Sequence, residues 1–224
     1  MSTYKTTYDG PALGGDAIAH DDARALLGQV MGYVAVTVGF TALGAYLGRD
    51  LSGATGLVLF IGAFAAILGL NSAAAKGRDQ LAIALLFALG LLLGLATAPV
   101  IADYAGADPS ALWQAAGATA AFVGGLGAYG YATRRDLSSW ARALFWALLA
   151  LIAFGIVAIF ISIPNGNVIY AVAGLVIFGG FTIFDFNRLR RAGDEGAVLI
   201  AASIFLDVFN VFFLFRDLFG LGRD

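Results

Sequence analysis

Four stretches of the chain, Ala25–Gly48, Leu51–Ala75, Leu81–Ala102 and Ser110–Thr133, contain no charged residue, and a fifth, Ala143–Phe184, runs uncharged for almost twice the length. About 20 apolar residues make a helix long enough to cross a bilayer core, so each stretch reads as one span and the fifth as two. The turn signal Pro164-Asn165-Gly166-Asn167 divides that fifth stretch. A last apolar run, from about Ala197 to Phe215, completes the set. In lipid every backbone polar group must be bonded internally, and long runs without alternation fit helices, not a barrel.

The expected fold is therefore an all-α integral membrane protein with seven transmembrane helices. They are placed at about 25–48, 51–75, 80–102, 110–133, 140–163, 167–189 and 197–216, giving a membrane domain over 25–216. Residues 1–24 read as a polar, mostly disordered cytoplasmic tail and 217–224 as a short C-terminal end. A mean hydropathy of +0.86, with 60% hydrophobic and 12% charged residues, agrees with the membrane class.

Composition also removes chemistries. Without cysteine there is no disulfide, thiol nucleophile or iron–sulfur site. The single histidine, His20, lies in the polar tail, which leaves neither a zinc site of the usual kind nor a serine–histidine pair inside a span. Retinal would need a buried lysine, and the chain has only Lys5 in the tail and Lys76 at a span end. A formal charge of −2 argues against a nucleic-acid partner. No enzyme activity is expected, and no tightly bound cofactor.

Basic residues orient the spans. Lys5, Arg24, Lys76, Arg78, Arg134, Arg135, Arg142, Arg188, Arg190 and Arg191 fall on one side, ten in all, against Arg49, Arg216 and Arg223 on the other. The positive-inside rule then puts the N-terminus in the cytoplasm and the C-terminus outside. Arg188, Arg190 and Arg191 are expected to anchor the inner end of the sixth helix. Two small-residue stripes, Gly90/Gly94 and Gly117/Ala121/Gly125, are candidates for close helix packing.

Among the acidic residues, only Asp185 and Asp207 fall inside predicted helices away from their ends. A charge at membrane depth costs at least ~2.5 kcal/mol on insertion scales, which makes such a residue a functional candidate. Ser203, Asp207 and Asn210 share one face by i, i+4, i+7 spacing, and Thr182 lies one turn before Asp185. A short connection makes the two helices antiparallel neighbours, so both carboxylates can face each other in the cytoplasmic half. Plainer roles compete: an Asp185–Arg188 pair one turn apart, or Asp207 as hydrogen-bonding glue. Two carboxylates in contact at low dielectric cannot both ionise and titrate as one coupled dyad. With one shared proton they clamp two helices, and with none they repel. Their oxygens suit a hard cation such as Ca²⁺, but two side chains supply few of the six to eight ligands it prefers, which favours passage over storage.

The segments "FTIFDFNRLRR" and "IFLDVFNVFFLFRDLFG" resemble the last two helices of the Bax inhibitor-1, or transmembrane Bax inhibitor motif, family. The resemblance implies six helices around a central seventh. It also implies, as for bacterial members, a pH-sensitive calcium leak in the inner membrane, with Asp185 and Asp207 as the proton-sensing and weakly metal-binding pair. Calcium is then the transported ion, and the partners are lipid, calcium and protons. Some members carry an arginine in the second helix that pairs with the aspartates. Leu51–Ala75 has no basic residue, and Asn71 is the neutral candidate there. Two other functions fit the residues: a proton-coupled carrier of a small solute, and a regulator that transports nothing and acts through protein partners.

Overall fold

The computed structural model describes residues 13–51, 53–192 and 196–220. Within them the chain forms seven helices: α1 (Leu13–Leu47), α2 (Gly53–Ala75), α3 (Asp79–Ala107), α4 (Pro109–Ala132), α5 (Trp140–Phe160), α6 (Gly166–Arg191) and α7 (Ala197–Gly220). Six of them, all but α4, are long and apolar enough to cross a membrane. α4 falls outside that group because Ala and Gly dominate it and Gln114 interrupts it, although its 24 residues have the length of a span.

Where helices end follows local chemistry. α1 begins at Leu13, so the second half of the polar N-terminal segment is helical, not disordered; the apolar part starts at Ala23. α3 runs on to Ala107 with Pro99 inside it, so the expected loop at Asp103–Pro109 shrinks to Asp108. Asp108 starts the next helix, its carboxylate accepting from the Ala111 N–H at 3.2 Å with Pro109 at the first helical position. The turn at Pro164–Asn167 is present: α5 stops at Phe160, and Asn165 takes the left-handed conformation (φ 55°) before α6. Expectations for Lys5, Arg223 and the His20 side chain fall outside what the structure describes.

The helices pack as two groups. α1 and α2 lie against α3, while α4 and α5 lie against α6. α7 joins the groups, packing on α6, α4 and α1 and more lightly on α3 and α2. Only Leu151 of α5 is buried. Large apolar side chains such as Leu57, Ile61, Phe64, Trp146, Ile159 and Phe160 cover the outside, as a lipid-facing surface requires.

Close crossings rest on glycine. A Cβ on Gly94 would collide with the Thr41 carbonyl, which confirms the Gly90/Gly94 stripe as an α1–α3 contact. The second expected stripe is not a contact, since nothing lies within 4 Å of a Cβ on Gly117 or Gly125. α4 instead meets α6 through Gly130, where a Cβ would strike the Ile183 carbonyl. Spacing located small residues on α4 but could not tell which face turned toward a neighbour.

Candidate functional site

Asp185 of α6 and Asp207 of α7 lie where these two helices pack together. Asp185 and Asp207 are each 4% exposed, and Thr182 is fully buried beside them. The two carboxylates are electrostatic neighbours across the interface, as the antiparallel pairing of α6 and α7 predicts. Thr182 sits next to the Asp207 carboxyl. Its hydroxyl also lies 2.8 Å from the Phe178 carbonyl, so the threonine has two acceptors within reach, that carbonyl and the Asp207 carboxyl. Oδ2 of Asp207 is buried with no hydrogen-bond partner among the described residues.

The supporting residues divide. Ser203 lines a cavity of about 150 Å³ together with Ile67, Asn71, Arg188 and Leu206. Asn71 therefore faces this cavity, but its side-chain amide bonds its own helix at the Ile67 carbonyl, 2.8 Å away. Asn210 likewise bonds its own helix, at the Leu206 carbonyl (2.7 Å), and joins no partner of the pair. Arg188 makes no ion pair with Asp185; Asp185 feels its charge, while the side chain reaches the cavity. Among the described residues no three His, Cys, Asp or Glu side chains gather as a metal cluster would require.

The three basic residues at the end of α6 have different surroundings. Arg188 lines the cavity, and Arg190 has its Nε buried. Arg191 reaches Asp136 in the α4–α5 connection, Nη1 to Oδ1 at 2.6 Å, and bonds Asn187 Oδ1 through Nη2, also at 2.6 Å. Ser138, through its hydroxyl and backbone N–H, and then Arg191 hold Asp136 well below the usual carboxylate range.

Asn187 is the residue the sequence reading missed. Fully buried, it donates from Nδ2 to the carbonyls of Gly130 (3.3 Å), Thr133 (2.8 Å) and Arg135 (3.2 Å). Gly130 is in the last turn of α4, whose carbonyls a helix leaves unbonded, and Thr133 and Arg135 follow the helix end, so Asn187 ties the C-terminus of α4 and the chain leaving it to α6. A signal was present: Asn187 and Arg191 lie one turn apart on one face, inside the quoted motif.

A bundle of long apolar helices with two carboxylates buried between its last two members is an integral membrane protein with an ionisable centre. The sequence profile described as "Inhibitor of apoptosis-promoting Bax1" matches residues 23–224, and the chain belongs to this Bax inhibitor family. It is 29% identical over 168 residues to an uncharacterized protein of Helicobacter pylori, covering 75% of this chain and 72% of that one. It is 24% identical over 219 residues to the inner membrane protein YbhL of Escherichia coli K12, covering 88% and 92%. A Vibrio cholerae membrane protein is 26% identical over 135 residues, covering 59% and 60%.

Proposed function

We propose that this protein is a pH-sensitive calcium leak of a bacterial inner membrane, gated by Asp185 and Asp207. The observation that carries the reading is the burial of two neighbouring carboxylates between α6 and α7, with Asp207 Oδ2 lacking any donor. A proton shared by the pair gives that oxygen its hydrogen bond and holds the two helices together. Loss of the proton leaves two like charges in a low-dielectric interface and drives the helices apart. The cavity at Asn71, Arg188 and Ser203, one turn from Asp207, is then the approach to the gate. Arg188 supplies the positive charge that some relatives carry on the second helix. Two carboxylates bind Ca²⁺ weakly, which suits passage. In this reading α4 is the seventh crossing, α7 is the central helix, the N-terminus is cytoplasmic and the C-terminus is outside. The protein transports an ion and catalyses no reaction.

Calcium flux into liposomes that hold only the pure protein tests the reading. Flux that changes with pH supports it. Flux only in the presence of a second solute would favour a proton-coupled carrier, and no flux at any pH would favour a regulator acting through other proteins.

A further inference from the structure

Between the two helix groups lies a second, larger opening of about 1020 Å³. Val38 and Ala42 of α1 form one wall and Ala120 and Val123 of α4 the other, with Phe205 and Phe209 of α7 along the floor. On α1 the lining runs from Leu27 to Tyr46, and Arg49 follows in the turn after the helix. At ~1.5 Å per residue the helical part is about 29 Å, close to the thickness of a bilayer's hydrocarbon core.

The lining selects its occupant. Its three threonines, Thr41, Thr97 and Thr119, all give their hydroxyl protons to their own helices, at the carbonyls of Thr37, Leu93 and Ala115 (3.0, 2.8 and 2.7 Å). Away from Tyr46 and Arg49 at one end, a hydrated ion or polar solute finds no spare side-chain donor along these walls, whereas a hydrocarbon chain loses nothing there. One charged side chain stands on the lining, Arg49, at the end of the groove. It stacks over the Tyr46 ring at 4.6 Å, and its Nε is 3.6 Å from an Asp50 carboxylate whose side chain is 91% exposed. A pair that loose and wet is weak, so the guanidinium can turn to a better anion. Arg216, at the same end of the bundle, is only 12% exposed and committed to Asp217.

We propose that the groove is a binding site for one anionic phospholipid, its phosphate on Arg49 and one acyl chain lying between α1 and α4. A guanidinium matches a phosphate through two parallel N–H donors, and the chain fills apolar surface that neither helix group covers. The lipid then forms part of the wall between the groups. Neither Asp185 nor Asp207 lines this site, and it does not depend on the calcium reading.

Native mass spectrometry of the full chain in mild detergent, with phosphatidylglycerol or phosphatidylcholine added, tests it. The expected result is a one-to-one phosphatidylglycerol adduct that survives detergent exchange better than the phosphatidylcholine adduct. Arg49→Gln should lower its retention about tenfold, the size of one lost charge-assisted hydrogen bond. Ala120→Phe and Val38→Phe, which fill the groove from opposite walls, should each lower retention of both lipids. Retention is read on whichever of the two keeps the parent melting temperature, and Arg24→Gln, outside the groove, should change nothing. Unaltered retention in Arg49→Gln, or in a folded groove-filling variant, would overturn the proposal, as would equal retention of the two lipids by the parent protein.

Discussion

Asn187 Nδ2 donates to the Thr133 carbonyl at 2.8 Å across 54 residues of sequence, and this bond joins the C-terminal end of α6 to the residue that follows α4. It makes the polar motif that contains Asp185 a structural joint as well as a candidate gate. Replacing Asn187 with Ala leaves buried carbonyls without a donor, at a cost of about 1–3 kcal/mol. Asn187→Asp should be worse than Asn187→Ala, because it turns an acceptor toward three carbonyls. Thermal unfolding in detergent checks the order of the two variants.

The same joint should be insensitive to pH near neutrality. Ser138 first, and Arg191 after it, hold the Asp136 carboxyl below its usual range. A depressed carboxylate contributes stability that is present above its unfolded value, near 3.9, and is lost as pH falls through the folded value. The Arg191–Asp136 contact is therefore intact through neutral and mildly acidic pH and disappears only in strong acid. Asp136→Asn should lower the melting temperature slightly and leave the pH midpoint of calcium flux unmoved. A shifted midpoint would transfer the pH sensor from the buried pair to this exposed one.

For the pair itself, Asp185→Asn or Asp207→Asn should flatten the pH dependence of calcium flux, since a lone carboxylate no longer has a like charge beside it. The double variant should add little to either single change, because the two groups titrate as one unit. Asp207→Ala, which removes the hydrogen bond as well, should raise flux at every pH. Proteoliposome flux with a calcium dye is the measurement, and parental pH profiles in both asparagine variants would reduce Asp207 to structural glue.

Packing offers a sharper contrast than function does. Gly94→Val must displace the Thr41 backbone and should cost on the order of 1–3 kcal/mol, whereas Gly117→Ala meets nothing within 4 Å and should be close to neutral. Yield of folded protein and melting temperature separate them.

The orientation is open to a simple check. A reporter active only outside the cytoplasm, fused after Asp224, should work if the ten-to-three bias of basic residues sets the topology. Signal from a cytoplasmic reporter in its place would invert the bundle.

The sequence made the long apolar elements legible because hydrocarbon tolerates few polar groups, so the spans of α1, α2, α3, α5, α6 and α7 stand out in composition alone. It made Asp185 and Asp207 legible for the same reason, each being an expense in an apolar run. Facing and distance were harder. Gly117 and Gly130 are both small residues on α4, and only the three-dimensional packing tells that Gly130 meets α6 while Gly117 meets nothing. Asn187 escaped notice because its partners are backbone carbonyls 52 to 57 residues away, which carry no side-chain signature. Asn210 misled for the opposite reason: it shares a helical face with Asp207 yet bonds its own backbone.

α7 bridges the two helix groups and is made after all six of the helices it joins. During synthesis α1 to α6 therefore enter the bilayer before the element that unites them exists, and Asp185 waits in lipid without its partner. The mating faces of both groups must be tolerated by lipid, or held by an insertion chaperone, until Ala197–Gly220 leaves the ribosome. A ribosome stalled before that segment would leave Asp185 without the carboxylate beside it and the two groups without the helix that packs on both. Synthesis of α7 and the union of the two helix groups are in this way one event.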